Sequence, residues 1–453
     1  MNRSPVPSFR GRDEAVEPPT FWDTPRKVRK GHDMTRDVVH TAIDVGTSKV
    51  STLVAHRHLN GDVDVLGVGI AQSAGLRKGV VVNIQEAQEA IQNSVTEAKR
   101  SAGVNFTSAY VSVSGSHIEV FPRWGSLRSM MYNSPLSPSE IDRAVDAAYP
   151  AELPPENQVL HLIPRLYTVD GLRGVRNPVG MHAQRLDVET LCVVGQTAPI
   201  QNLVTAVENA KISVKALVAP AVSTGEAVLS RDEGEMGVTV VDIGGGATTV
   251  SVYQQGCLWN AAVLPLGGYQ FTTDLAVALN TPYDTAEEVK LRHGLATLDT
   301  IDDDNVEIQA FGDRRTVRVE RRVISRYLHD RAEELFRLVG IKVKGFGFPA
   351  FPPAGIVLTG GGANLPGIDR VARRILGTPV RIGSPTGING LPEGMQDPAY
   401  VATAGALLQG IRHLSSIDSV RKEGRRLNRD NGYTQFNAGP LNWLRERVRK
   451  VAL

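Results

Sequence analysis

Two segments about two hundred residues apart carry the same short pattern, so any fold for this chain has to use that pattern twice. The first is Thr41-Ala42-Ile43-Asp44-Val45-Gly46-Thr47-Ser48-Lys49-Val50, and the second is Val240-Val241-Asp242-Ile243-Gly244-Gly245-Gly246-Ala247-Thr248-Thr249-Val250. Each ends a β-branched apolar run with an aspartate, follows it with glycine and hydroxyl residues, and then resumes an extended pattern. Glycine admits φ > 0 and keeps a Cβ out of the way, so backbone N–H groups can point at a phosphate. Asp44 and Asp242 can each hold Mg²⁺ through water, because Mg²⁺ favours a carboxylate combined with waters and phosphate oxygens. One Gly-rich turn is commonplace. Two related copies suggest a nucleotide held between two similar lobes.

With 453 residues, 42% of them hydrophobic, the chain is long enough for about three domains. Charge is nearly balanced, 50 Lys+Arg against 48 Asp+Glu, which gives no nucleic-acid signature. Cys192 and Cys257 lie in apolar, strand-like runs without metal spacing and read as packing residues of a reduced, cytoplasmic protein. No stretch approaches the roughly 18 apolar residues of a membrane span, and no signal peptide is visible.

Residues 1–37 are rich in Pro, Arg and acids and read as a disordered leader, with Met34 a candidate true start. The first lobe is expected over 38–115 and 196–235. It holds strands at Val38–Val54 and Val63–Ala71, a helix opened by Asn83 and running to about Ala102, and a strand from Tyr110. Residues 116–195 interrupt this rhythm and read as an inserted small α/β subdomain, with a capped helix at Ser137-Pro138-Ser139-Glu140 and strands at Val159–Val169 and Val188–Val194. The second lobe, 236–412, includes a helical subdomain over about 266–345, with helices predicted at Thr285–His293 and Val323–Val339. Asp302-Asp303-Asp304 reads as a solvated turn. A linker over 413–438 and a final segment over 439–453 follow.

A third glycine cluster, Gly360-Gly361-Gly362, follows the predicted strand Ile356–Thr359 and would let a flat adenine ring lie against backbone. Glu287 and Lys290, three apart on one helical face, suit a ribose hydroxyl or a purine edge. Taken singly, a strand-end turn and a surface ion pair explain these better. Their order after two phosphate hairpins favours a nucleotide.

Further strings carry a family resemblance: Leu66-Gly67-Val68-Gly69, Gly75-Leu76-Arg77-Lys78-Gly79-Val80-Val81, Ser114-Gly115-Ser116-His117-Ile118, Arg176-Asn177-Pro178-Val179-Gly180, Gly267-Gly268-Tyr269 before a helix start at Thr272/Thr273-Asp274, and Asp397-Pro398-Ala399-Tyr400 with Thr403-Ala404-Gly405. With the hairpins, they resemble the actin/Hsp70/sugar-kinase superfamily and, more closely, the FtsA family of actin-like bacterial cell-division proteins, from about Val38 to Gly410 plus the C-terminal tip. The resemblance implies a two-lobe actin-like ATPase fold of the α/β class, with ATP and Mg²⁺ in the cleft. Gly46, Thr47, Ser48 and Lys49 would contact phosphate, as would Gly244, Gly245, Gly246 and Thr248. Gly360, Gly361 and Gly362, with Glu287 and Lys290, would hold the nucleoside. The insert would serve head-to-tail self-association. The protein would sit peripherally on the cytoplasmic face of the cell membrane at the division site, tether FtsZ there and help recruit later division proteins.

Three departures matter. Ala247 and Thr249 remove a hydroxyl and a charge from the second turn. Ala219 stands where actin-like ATPases place a water-orienting Glu or Gln, and Glu226 is offset from that position; no catalytic residue is assigned, and slow hydrolysis is expected. The long leader is unusual for the family, and the sequence assigns it no function. At the C-terminus, Leu441, Leu444, Val448, Val451 and Ala452 fall on one side of a helix, Trp443 lies off that stripe, and Arg445, Arg447, Arg449 and Lys450 oppose Glu446. This is the pattern of an in-plane membrane helix binding an anionic surface, against the plainer reading of a helix packed on the body. Competing functions are a sugar kinase-like phosphotransferase, which the terminal helix speaks against, and an actin-like platform for pilus or secretion assembly, which typically lacks that helix. An Hsp70-type chaperone would need a substrate domain after the ATPase body, and the residues that follow are too few.

Overall fold

The β-branched run Val38–Val45 pairs antiparallel with Lys49–Arg57, and that strand with Val63–Gln72. Ser108–Ser112 and Ser213–Val218 add parallel strands on the other side of Val38–Val45. The second sheet repeats this plan. Val238–Ile243 pairs antiparallel with Thr248–Gln254, which pairs with Cys257–Leu264, while Ile356–Thr359 and Val380–Ile382 add in parallel. Both five-stranded sheets therefore have the same connectivity around a central hairpin. The computed structural model describes residues 38–128, 135–298, 304–311 and 316–412. The leader, Asp302 and Asp303, the linker and the terminal segment with Leu441, Trp443, Leu444, Val448 and Val451 lie outside the described residues.

The helix Ile84–Ala102 begins at Asn83, whose side chain accepts from the Gln85 and Glu86 amides, and ends at Gly103 in the left-handed region. Its apolar face, Ala87, Ala90, Ile91, Val95 and Ala98, is buried against the first sheet. Helix and strand approach so closely that a Cβ at Gly69 would lie 2.0 Å from the Ser94 carbonyl, a packing reason for the Leu66–Gly69 string. The second lobe has its own core, built on the helix Arg321–Gly345, which outruns its expected length at both ends.

The insert leaves the first lobe after Ser108–Ser112 and returns before the helix Thr197–Asn209. It is a four-stranded antiparallel sheet, ordered Ile118–Arg128, Arg185–Gln196, Asn157–Val169, Leu172–Val175, with the helix Pro138–Asp146 on one face. Two of these strands were not anticipated. Ile118–Arg128 contains Pro122 and Gly125, residues that argue against a strand when read locally. Pro122 sits on an edge strand, and Gly125 lets the helix approach until a Cβ there would be 2.1 Å from the Ala144 carbonyl. The helix Pro138–Asp146 carries the expected capping box between Ser137 and Glu140. Polar contacts bind the insert to the second lobe and to the segment that leads into it. Arg165 donates to the Trp259 carbonyl at 2.6 Å and lies over its indole ring, and Arg176 of the Arg176–Gly180 string makes a two-point pair with Glu235 at 3.1 and 3.0 Å.

The helix start after Gly267 shifts furthest from expectation. The helix after Gly267 begins at Gly268, not at Thr272, because the Gln270 side chain accepts from the Gly267 amide and closes the first turn.

Candidate functional site

Both predicted hairpins form, and their turns are built alike. The Gly46 amide donates to the Lys49 carbonyl and the Gly244 amide to the Ala247 carbonyl, each at 3.0 Å, closing four-residue loops after Val45 and Ile243. The two turns meet at their tips. A Cβ on Gly246 would fall 2.6 Å from Thr47 Oγ1, and one on Gly245 would lie 3.5 Å from Ser48. The residues that need no side chain in one lobe thus face the hydroxyl residues of the other.

Asp44 and Asp242 stand one residue before each turn, half-buried, opposite Ser112 and Thr359 of the neighbouring parallel strands. Burial raises the Asp44 carboxyl above its usual range, opposed by Ser112 and Lys49. Asp242 is pushed up to about 7, first by burial and then by the Asp44 charge, with Lys49 opposing. Burial lowers the Lys49 ammonium, while Asp44, Asp397 and Asp242 draw it back. Its Nζ lies 3.7 Å from the centre of the Tyr400 ring. Two carboxylates deprived of solvent and short of positive charge form the floor of the cleft.

The segment Asp397–Tyr400, a string whose role the sequence did not reveal, ties this floor together. The Pro398 carbonyl accepts from the Gly360 amide and the Thr359 hydroxyl, both at 3.0 Å, Asp397 takes the Asn364 amide, and Tyr400 reaches Lys49. In the Gly360–Gly362 turn, Gly360 has φ +81° and a Cβ there would be 2.3 Å from Asp242 Oδ1; one on Gly362 would meet Ile243 at the same distance. These two glycines are explained by packing on the second hairpin. Gly361 alone is exposed and open enough to receive a flat ring.

Lys290 spends its three donors on Glu287 at 2.7 Å, Thr272 at 2.8 Å and the Gly268 carbonyl at 3.3 Å, and Thr272 also bonds Glu287. The Gly268 and Tyr269 amides donate to the Gly244 and Gly245 carbonyls. Glu287 and Lys290 are therefore fastened to the back of the second turn. Thr248 is fully buried and donates to the Leu266 carbonyl at 2.7 Å, so its hydroxyl is committed to the protein and the turn offers a phosphate its backbone.

Ala219 is buried, and its amide donates to His161 Nε2 of the insert at 3.1 Å. Glu226 is buried elsewhere and pairs with Arg412 at 3.2 Å; burial raises its carboxyl to about 7. The charge acting on Asp44 is that of Lys49, and those acting on Asp242 are Asp44 and Lys49; Glu226 is not among them. Among the described residues, no cluster of three or more His, Cys, Asp or Glu is arranged to hold a metal ion.

Comparison with known proteins gives concordant matches. A family model described as "Cell division protein FtsA" matches residues 239–405, and one described as "SHS2 domain inserted in FTSA" matches residues 115–194. The chain is 34% identical over 383 residues to the cell division protein FtsA of Pseudomonas aeruginosa, covering 84% of this chain and 91% of that protein. It is 33% identical to FtsA of Escherichia coli K12, covering 84% and 92%. A solved PilM-PilN type IV pilus biogenesis complex superimposes with a TM-score of 0.61 over 83% of this chain and 99% of that one, at 17% identity, a likeness of fold alone.

Proposed function

The chain belongs to the FtsA family of cell-division proteins and has its actin-like fold with the inserted subdomain; from that premise we propose that it binds ATP with Mg²⁺ between its lobes, assembles on the inner membrane surface and tethers FtsZ filaments there. The observation that carries the nucleotide reading is the pairing of two solvent-poor carboxylates beneath two converging backbone turns. Among the described residues Asp44 and Asp242 have no third protein ligand beside them, so a cation held there would be completed by water and phosphate oxygens, the donor set that Mg²⁺ favours. The turn glycines leave room for phosphate against backbone where side chains would intrude. When bound, Mg²⁺ would neutralise phosphate charge. Lys49 would orient the polyphosphate, and Gly361 would border the base. Hydrolysis is slow on this reading, because Ala219 offers no group to position water and Glu226 is engaged with Arg412.

The amphipathic segment Leu441–Leu453 would supply the membrane contact. Four or five buried Leu/Val side chains contribute at most roughly 6–8 kcal/mol, and ordering some thirteen residues at about 1 kcal/mol each opposes most of it. One tail therefore binds weakly, and assembly through the insert raises avidity by aligning many. Pelleting with anionic vesicles, FtsZ and ATP tests this. The full chain should carry FtsZ into the pellet, and Leu444→Glu with Val448→Glu should leave ATP and FtsZ binding intact while abolishing vesicle binding. Pelleting that survives the double substitution would show that the tail is not the tether.

A further inference from the structure

The short ribbon Leu76–Arg77/Val80–Val81 has a two-residue turn, Lys78-Gly79, at its tip. Both residues are left-handed, with φ 51° and 79°. Such turns favour Asn, Asp or Gly at the first position, and lysine there costs backbone energy that nothing in the ribbon returns. The tip is held from three sides. The Gly79 amide donates to Thr47 Oγ1 at 3.0 Å, a Cβ on Gly246 would be 2.6 Å from Lys78 Cα, and one on Gly79 would be 2.6 Å from the Ser114 carbonyl. Lys78 is thus mounted where the two phosphate turns touch.

The position along the cleft is also defined. Gly268, Glu287 and Lys290 are fastened at the Gly244–Gly245 end of the second turn, whereas Lys78 adjoins its Gly246 end. A nucleotide whose nucleoside lies toward Glu287, Lys290 and Gly361 extends its terminal phosphate toward Lys78. Lys49 and Lys290, the lysines already described at these turns, have protein partners. Lys49 is shared between carboxylates and the Tyr400 ring, and Lys290 has no donor to spare. Lys78 is exposed and has no ion pair or hydrogen bond among the described residues. Resting on the nucleotide reading above, we infer that Lys78 is the residue that binds the terminal phosphate and makes this cleft favour nucleoside triphosphate over diphosphate.

Calorimetry of the full chain with ATP and with ADP, each with Mg²⁺, tests this. Lys78→Gly removes the ammonium and suits φ 51°, so the turn is not strained by the change. It should weaken ATP binding about tenfold, the worth of one charged contact, and ADP binding less than about twofold; Lys78→Arg should keep the parent preference. Raising salt should lower the ATP/ADP affinity ratio of the parent but not of Lys78→Gly. An unchanged ratio in Lys78→Gly overturns the inference and leaves the nucleotide site standing, whether both affinities fall or neither does. A parent chain that binds neither nucleotide overturns both.

Discussion

On the proposed nucleotide reading, Asp242 would make ligand binding pH-dependent with a defined sign. Its carboxyl ionises near 3.8 when unfolded and is pushed up to about 7 in the folded protein, chiefly by burial. Between those values the folded form holds the extra proton, so the unliganded fold loses stability as pH rises through that window. A bound cation requires the ionised form. Thermal stabilisation by Mg²⁺-ATP should therefore grow from pH 6 to pH 8, with affinity changing by up to about tenfold per pH unit below 7. Asp242→Asn should flatten the profile, which separates this effect from titration of the nucleotide itself; an equally steep profile in that variant would sink the assignment. Gly360 and Gly361 offer a second contrast between neighbours. Gly360→Ala combines a left-handed backbone with a collision against Asp242 Oδ1 and should cost about 2–4 kcal/mol in chemical denaturation. Gly361→Ala should stay within about 0.5 kcal/mol, and equal costs would refute the packing account.

Among the elements, those whose cues are local were the legible ones. Asn83 and Gly103 bracket the helix Ile84–Ala102 because capping is written within a few residues of each end. The hairpin turns are legible for the same reason. Ile118–Arg128 was not, since Pro122 and Gly125 are tolerated only through an edge position and a helix packed above them. Tyr400 and Lys78 escaped as site residues because they reach Lys49 and Gly246 across 351 and 168 positions, a juxtaposition no periodicity records. The contacts that seat the insert are long-range as well, and they are unequal. The Arg165 side chain is only 9% exposed and combines a ring contact with a carbonyl bond, whereas both side chains of the Arg176–Glu235 pair are 29% exposed. Arg165→Ala should cost about 2 kcal/mol and speed proteolysis within the insert, against about 1 kcal/mol or less for Arg176→Ala. The reverse order would mean that the ion pair, not the tryptophan contact, seats the insert.

At the scale of the whole molecule, the two sheets are duplicates in connectivity and the cleft is their seam. Their turns differ in chemistry: Thr47, Ser48 and Lys49 on one side, Gly245, Gly246 and Ala247 on the other. One lobe can grip with side chains and the other only with backbone, which gives a ligand of uneven charge a preferred direction in a nearly symmetric frame. The insert breaks the symmetry in a second way. Its two covalent roots lie in the first lobe, while Arg165 fastens it to Trp259 of the second and Arg176 to Glu235 in the segment that leads into that lobe. It therefore spans the seam as a brace spans a hinge. A force applied to it from outside cannot load one lobe alone; it becomes a torque across the cleft, felt where the two turns meet.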